Sequence, residues 1–141
     1  MNENEYNLQR FVDAQETEYA IALSEIRSGG KRSHWIWYIF PQQKGLGHSY
    51  NSEYYGLDGT SEARAYLAHP LLGARLREIS AALLEHKGRT TIRRLMGSQI
   101  DVLKLRTCMQ LFDSISPGDI FAEVDRKSTR LNSSHIDRPR M

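Results

Sequence analysis

From Leu8 to Ile26 the apolar residues Leu8, Phe11, Val12, Tyr19, Ala22, Leu23 and Ile26 recur at three- and four-residue steps. That spacing predicts an amphipathic helix, and Ser28-Gly29-Gly30 ends it, because glycine takes the left-handed conformation that closes a helix without steric cost. Gln15 lies on the same stripe, so its amide faces the core and needs a partner there, from loop backbone or from a ligand. A second helical region starts at Ser61 as N-cap and runs through "EARAYLAH" to Pro70, a break or a new first turn. Leu72, Leu76, Ile79 and Leu83 then form a stripe that stops at Gly88, with Gly73 leaving room for a close neighbour. Thr90 or Thr91 caps a short helix through Met96, Gly97 breaks it, and "DVLKLRTCMQLF" restores the pattern with Leu105, Met109 and Phe112 on one face. "SPGD" is a turn and "IFAEV" begins a last helix. Only "HWIWYIF" alternates like a strand, and a lone strand has no partner, so it is read as a short buried helix or extended segment. The expected fold is mainly α, a compact single-domain bundle of about five or six helices with little or no sheet and no internal repeat.

At 141 residues and 40% hydrophobic, the chain has the size of one domain that can bury a core without disulfides or a structural metal. Cys108 is the only cysteine, and the five histidines show no zinc-ligand spacing. The N-terminus lacks a signal-peptide core and no apolar run approaches membrane-span length. The expectation is a cytoplasmic protein with no metal, no cofactor and no membrane partner.

The net charge of +2 has a local source. Residues 125–141, "DRKSTRLNSSHIDRPRM", hold five of the basic side chains and two of the acidic ones; without them 14 basic and 15 acidic residues remain, against 19 and 17 in the whole chain. "DRKSTRLNSSH" matches, codon by codon, the in-frame translation of a common sequencing-library adapter. The domain is therefore read as residues 1–124, and residues 125–141 as an adapter-derived tail, the alternative being a disordered basic arm. With the body near neutrality, a general nucleic-acid surface is disfavoured.

The stretch "GGKRSHWIWYIFPQQKGLG" holds the candidate chemistry. Trp35, Trp37, Ile39 and Phe40 read as core, since aromatic rings contribute most per residue to burial. The polar residues beside them form a candidate anion or phosphate clamp: Lys31 and Arg32 supply charge, Ser33 and His34 hydrogen bonds, and Gly29-Gly30 lets backbone N–H groups approach. The Gly45-Leu46-Gly47 loop could close over a ligand but lacks Walker or Rossmann spacing. The competing reading is a solvated basic turn leading into the core. His34 is the candidate general acid or base, since imidazole titrates near neutrality, with Asp101 as its orienter; alternatively His34 holds a loop carbonyl and Asp101 pairs with Lys104 one turn on. Trp37, Gln42, Tyr54 and His69 complete the candidate ligand set, with His69 equally suited to holding a helix end. Glu62 reads as a favourable charge at a helix N-terminus, and Cys108 as a buried thiol.

The strings "RFVDAQ", "GGKRSHWIWYIFPQQKGLGHS", "EARAYLAHPLLGARL" and "MGSQIDVLKLRTCMQLF", in this order, resemble the bacterial domain-of-unknown-function family 1810. The resemblance covers Arg10 to about Phe121. It implies a compact, mostly α-helical cytosolic domain and no particular reaction. Two departures are Gln110, where threonine is usual, and the end of the chain, where family members continue through another helical stretch. Together these readings lead to a polar, aromatic-walled pocket that binds a phosphate-bearing, nucleotide-like small molecule. The alternative is a noncatalytic protein-interaction or regulatory module, its protein partner unidentified.

Overall fold

A computed structural model of the protein describes residues 6–86 and 89–128. Helix α1, Gln9–Ser28, carries the first stripe, with Phe11, Gln15, Tyr19, Ala22 and Ile26 buried; Gly29 ends it at φ 114°, in the left-handed region. Then come α2 (Ile36–Ile39), α3 (Tyr50–Tyr54), α4 (Gly59–Ala68), α5 (Pro70–Leu84), α6 (Ile92–Met96) and α7 (Gln99–Ile115). Residues 120–128 form α8. The described residues thus hold eight helical segments rather than five or six. Of the two single turns that make up the difference, α2 is the helical of the two readings open for "HWIWYIF", and α3 is too short for a hydrophobic period to show.

No strand occurs among the described residues. Gln43 and Leu57 make one isolated parallel bridge, in which the Lys44 N–H donates to the Leu57 carbonyl and the Leu57 N–H to that of Gln42, both at 2.8 Å. "HWIWYIF" resolves as α2 with Trp35, Ile36, Ile39 and Phe40 buried. The start of α4 falls two residues before the expected cap. Asp58 is its N-cap residue without a side-chain bond, and Glu62 accepts from the Asp58 N–H instead, at 2.7 Å, so Ser61 lies inside the first turn.

α1 packs against α2 and α5, α4 against α5 and α7, and α6 against α7. A single hydrophobic cluster runs from Leu8 to Val124. Its aromatic spine passes from Phe11 edge-on to Tyr66 (5.0 Å between centroids), then to Phe112 and Phe121. Gly73 lets α5 approach the end of α4: a Cβ there would lie 2.1 Å from the Leu67 carbonyl oxygen. Beyond Val124, α8 continues with Asp125 paired to Arg106 at 3.3 Å and Ser128 buried. The rest of the expected tail, residues 129–141, lies outside the described residues.

Candidate functional site

The loop that follows α1 is organised by a residue that hydrophobic patterning does not single out. Glu25, in the last turns of α1, accepts from the Arg32 N–H (2.8 Å), the Ser33 N–H (3.0 Å), the Ser33 hydroxyl (2.6 Å) and the Trp35 indole (2.9 Å). Burial on its own would raise the Glu25 carboxyl, but the bonds from Ser33, Arg32 and Trp35 outweigh it and hold the group at about 2. Ser33, expected to face a ligand, spends its hydroxyl on this carboxylate.

Lys31 and Asp101 are brought together. The ammonium lies 2.9 Å from one carboxylate oxygen with the Lys31 side chain 6% exposed, and 5.0 Å from the Trp35 ring centroid. Asp101 also meets Lys104 at 3.8 Å, and Lys104 sits 4.1 Å over the Trp37 ring. The Lys31 charge is thus matched by a carboxylate before any anion arrives. Arg32 and His34 are exposed; the polar contact at His34 is its carbonyl accepting from the Tyr38 hydroxyl at 3.3 Å. His69 is a cap: its Nδ1 accepts from the Leu71 and Leu72 N–H groups at 3.1 and 3.3 Å. It serves the N-terminus of α5 rather than the carbonyls at the end of α4.

Trp37 and Gln42 do share a cavity, together with Gly47, Ser52, Tyr55 and Gly56, but its volume is about 10 Å³. That is room for about one water, the natural partner for the Gln42 amide nitrogen, which is buried with no protein acceptor. Tyr54 stacks on Tyr50 at 5.6 Å and meets Tyr55 edge-on.

A ligand-sized cavity opens elsewhere. It measures about 440 Å³ and lies between the end of α5, the loop to α6, α6 itself and α8. Its polar wall is His86, Arg89, Thr90, Thr91, Arg94 and Lys127, and its apolar wall Leu83, Leu84, Ile92 and Leu95. No carboxylate lines it, and Arg89, Arg94 and Lys127 have no ion pair among the described residues. The α1 end forms its backing: His86 Nε2 meets the Ile26 carbonyl at 2.8 Å and the Lys31 N–H donates to the Leu95 carbonyl at 2.7 Å. Three cationic residues bordering one cavity without an acidic neighbour among the described lining residues suit an anion. Sequence reading missed the site because Arg89 and Arg94 straddle a cap, where a basic residue looks like ordinary surface. The available signal was "RTTIRR", five hydrogen-bonding or cationic residues around Ile92 with no acid among them.

Two other groups are buried and, for Arg10, paired. Burial pushes the Cys108 thiol well up, so it stays protonated. Arg10, 8% exposed, pairs with Glu62, 4% exposed, at 2.8 Å and also donates to the Asn7, Tyr54 and Gly56 carbonyls. Glu62 is therefore half of a buried ion pair as well as a helix-start charge. Among the described residues no three or more His, Cys, Asp or Glu side chains gather as a metal site, and no helix is long and apolar enough to cross a membrane.

The chain is similar over most of its length to a solved structure. The crystal structure of the conserved hypothetical protein Rv1873 from Mycobacterium tuberculosis is 36% identical, with a TM-score of 0.79 over 90% of this chain and 96% of that one. No curated protein matches significantly. The model of a family described as protein of unknown function, DUF1810, matches residues 5–130, and by that match the chain belongs to the DUF1810 family.

Proposed function

We propose that the chain binds a phosphate-bearing small molecule in the cavity walled by Arg89, Arg94 and Lys127. The observation that supports this reading most is the charge of the lining: Arg89, Arg94 and Lys127 border a space of about 440 Å³ with no carboxylate among its described lining residues. Ligand cavities commonly run from about 300 to 1,000 Å³, and guanidiniums bind phosphate oxygens in pairs of parallel hydrogen bonds. Lys127 falls in the adapter-like segment, so Arg89 and Arg94 carry the proposal. Lys31 and Asp101, singled out in the sequence, support the site from behind together with Glu25, which fixes the loop whose Lys31 backbone is bonded to α6.

The experiment is a thermal-shift titration with phosphate, pyrophosphate and AMP on the wild type and on R89Q/R94Q, H34A and Q42A. The expected result is a rise in Tm that the double variant loses and the other two keep. Absence of any shift, or a shift that survives in R89Q/R94Q and vanishes in H34A, overturns it.

A second reading, a noncatalytic interaction module, draws on Ile100 and Leu103, which are 64% and 50% exposed on adjacent positions of one α7 face. A concentration-dependent dimer or a captured partner that I100S/L103S abolishes would support it.

A further inference from the structure

The single turn of α3 places Tyr50 and Tyr54 four residues apart and so on one face. The turn is held by its own serines: the Ser49 hydroxyl accepts from the Ser52 N–H at 3.1 Å, and the Ser52 hydroxyl donates to the Ser49 carbonyl at 2.9 Å. Tyr50 and Tyr54 stack with their ring planes 9° apart, yet they are 74% and 41% exposed. Tyr54 meets Tyr55 edge-on at 4.8 Å, and Tyr55 meets Tyr38 at 5.0 Å. The row thus runs from rings in water to rings that are half-buried. At its outer end the hydroxyls of Tyr50, Tyr54 and Tyr55 have no hydrogen bond among the described residues. Its exposed rings add little to the core, whereas stacked tyrosines offer a partner large contact area at small cost in side-chain entropy.

α1 runs along this row and is tied to it twice. Arg10 donates to the Tyr54 and Gly56 carbonyls at 2.7 and 2.9 Å, and Gln15 to the Tyr38 carbonyl at 2.7 Å. Asp13 lies between the two anchors, Glu18 lies one turn past the second, and Glu53 lies on α3 itself. None of these three carboxylates has an ion pair among the described residues, and the Arg10 charge is already matched by Glu62. The acids reach the rings. Burial first, then Tyr54, Tyr50 and Asp13 raise the Tyr55 hydroxyl against the opposing pull of Arg10, and burial and Glu18 raise that of Tyr38. Lys44 and His48 sit on the loop before α3, so the acidic margin is the one along α1.

A π face open to water beside unpaired carboxylates complements a planar cation. From this we infer that the tyrosine row docks an arginine-bearing segment of a partner protein, with a guanidinium on the outer face of Tyr50 and its N–H groups toward the acidic margin. Arginine fits better than lysine, because a guanidinium is flat and weakly hydrated and keeps its donors in plane while its face rests on a ring. No residue of the row lines the cavity at Arg89 and Arg94, so the test of this surface is independent of the phosphate reading.

That test is fluorescence anisotropy of a labelled Gly-Arg-Gly-Arg-Gly peptide titrated with the full chain, beside matched peptides carrying lysine or uncharged citrulline in place of arginine. The arginine peptide is expected to bind about tenfold more tightly than the citrulline peptide, with the lysine peptide between them. Y50S/Y54S is expected to lose about tenfold, and D13N/E18Q about threefold with a weaker dependence on salt. Unliganded melts confirm that both variants are folded. Equal binding of the arginine peptide and either matched peptide overturns the inference, as does wild-type affinity in Y50S/Y54S or the absence of binding by every peptide. Binding of maltotetraose or chitotetraose that Y50S/Y54S abolishes, with none of the arginine peptide, assigns the row to a sugar and overturns it as well.

Discussion

Replacing Glu25 with glutamine removes one charge and leaves the shape of the side chain. The carboxylate accepts two backbone N–H groups, a hydroxyl and an indole N–H at 2.6 to 3.0 Å, whereas an amide offers one oxygen and turns an NH₂ toward a donor. The bonds hold the carboxyl at about 2 against an ordinary 4.5, with burial acting the other way. At about 1.36 kcal/mol per tenfold change in proton affinity, the displacement converts to about 3.4 kcal/mol. The carboxylate is partly open to water, and screening reduces this to about 1–2 kcal/mol. A carboxyl lowered in the folded state stabilises fully above 4.5 and loses that contribution as pH falls toward 2. Urea unfolding of wild type and E25Q at pH 7 and pH 3 is the assay. E25Q is expected to lose about 1–2 kcal/mol at pH 7, with more than half of the gap closed at pH 3. A gap of the same size at both pH values would refute the charge-based account, and no gap at pH 7 would show that the hub contributes nothing to stability.

Glu62→Ala leaves the Arg10 guanidinium buried without its counter-ion and is expected to cost about 3–5 kcal/mol in chemical unfolding; a cost under about 1 kcal/mol would mean water replaces the carboxylate. Gly73→Ala puts a methyl against the Leu67 carbonyl and is expected to cost about 3 kcal/mol, near the top of the overpacking range, with an unchanged melt refuting the close approach. Asp101→Asn strands the buried Lys31 ammonium at a cost of about 3 kcal/mol. Adding Lys31→Met to it should recover much of that loss, and additive losses in the double variant would deny the pairing.

The helices were legible wherever burial follows a period. The stripes of α1, α5 and α7 appear in the sequence as they do in the core, and Gly29 and Gly73 do what their positions suggested. Gln15 was readable too: its amide donates to the Tyr38 carbonyl and to the Tyr66 hydroxyl. α3 was not, because Ser49 caps one turn of mostly exposed residues and no stripe marks it. The polar cluster was legible as composition and not as geometry. Lys31, Ser33 and Asp101 look like ligand-binding groups until the folded chain supplies Glu25 from one side and α7 from the other, and those pairings join positions 8 to 70 residues apart that no local pattern connects. The same reason hid the cavity at Arg89 and Arg94, whose lining joins the end of α5 to the loop and helix that follow it.

His69 joins α4 to α5 with a single residue, closing one helix and capping the next. A corner made by neighbours in sequence needs almost no loop closure, whereas the Arg10–Glu62 pair must bring together positions 52 apart. The order of assembly follows. The α4–α5 corner is therefore expected to form in the folding transition state and the Arg10 hub after it, so that in stopped-flow folding and unfolding substitutions at His69 or Gly73 slow folding while those at Glu62 chiefly hasten unfolding.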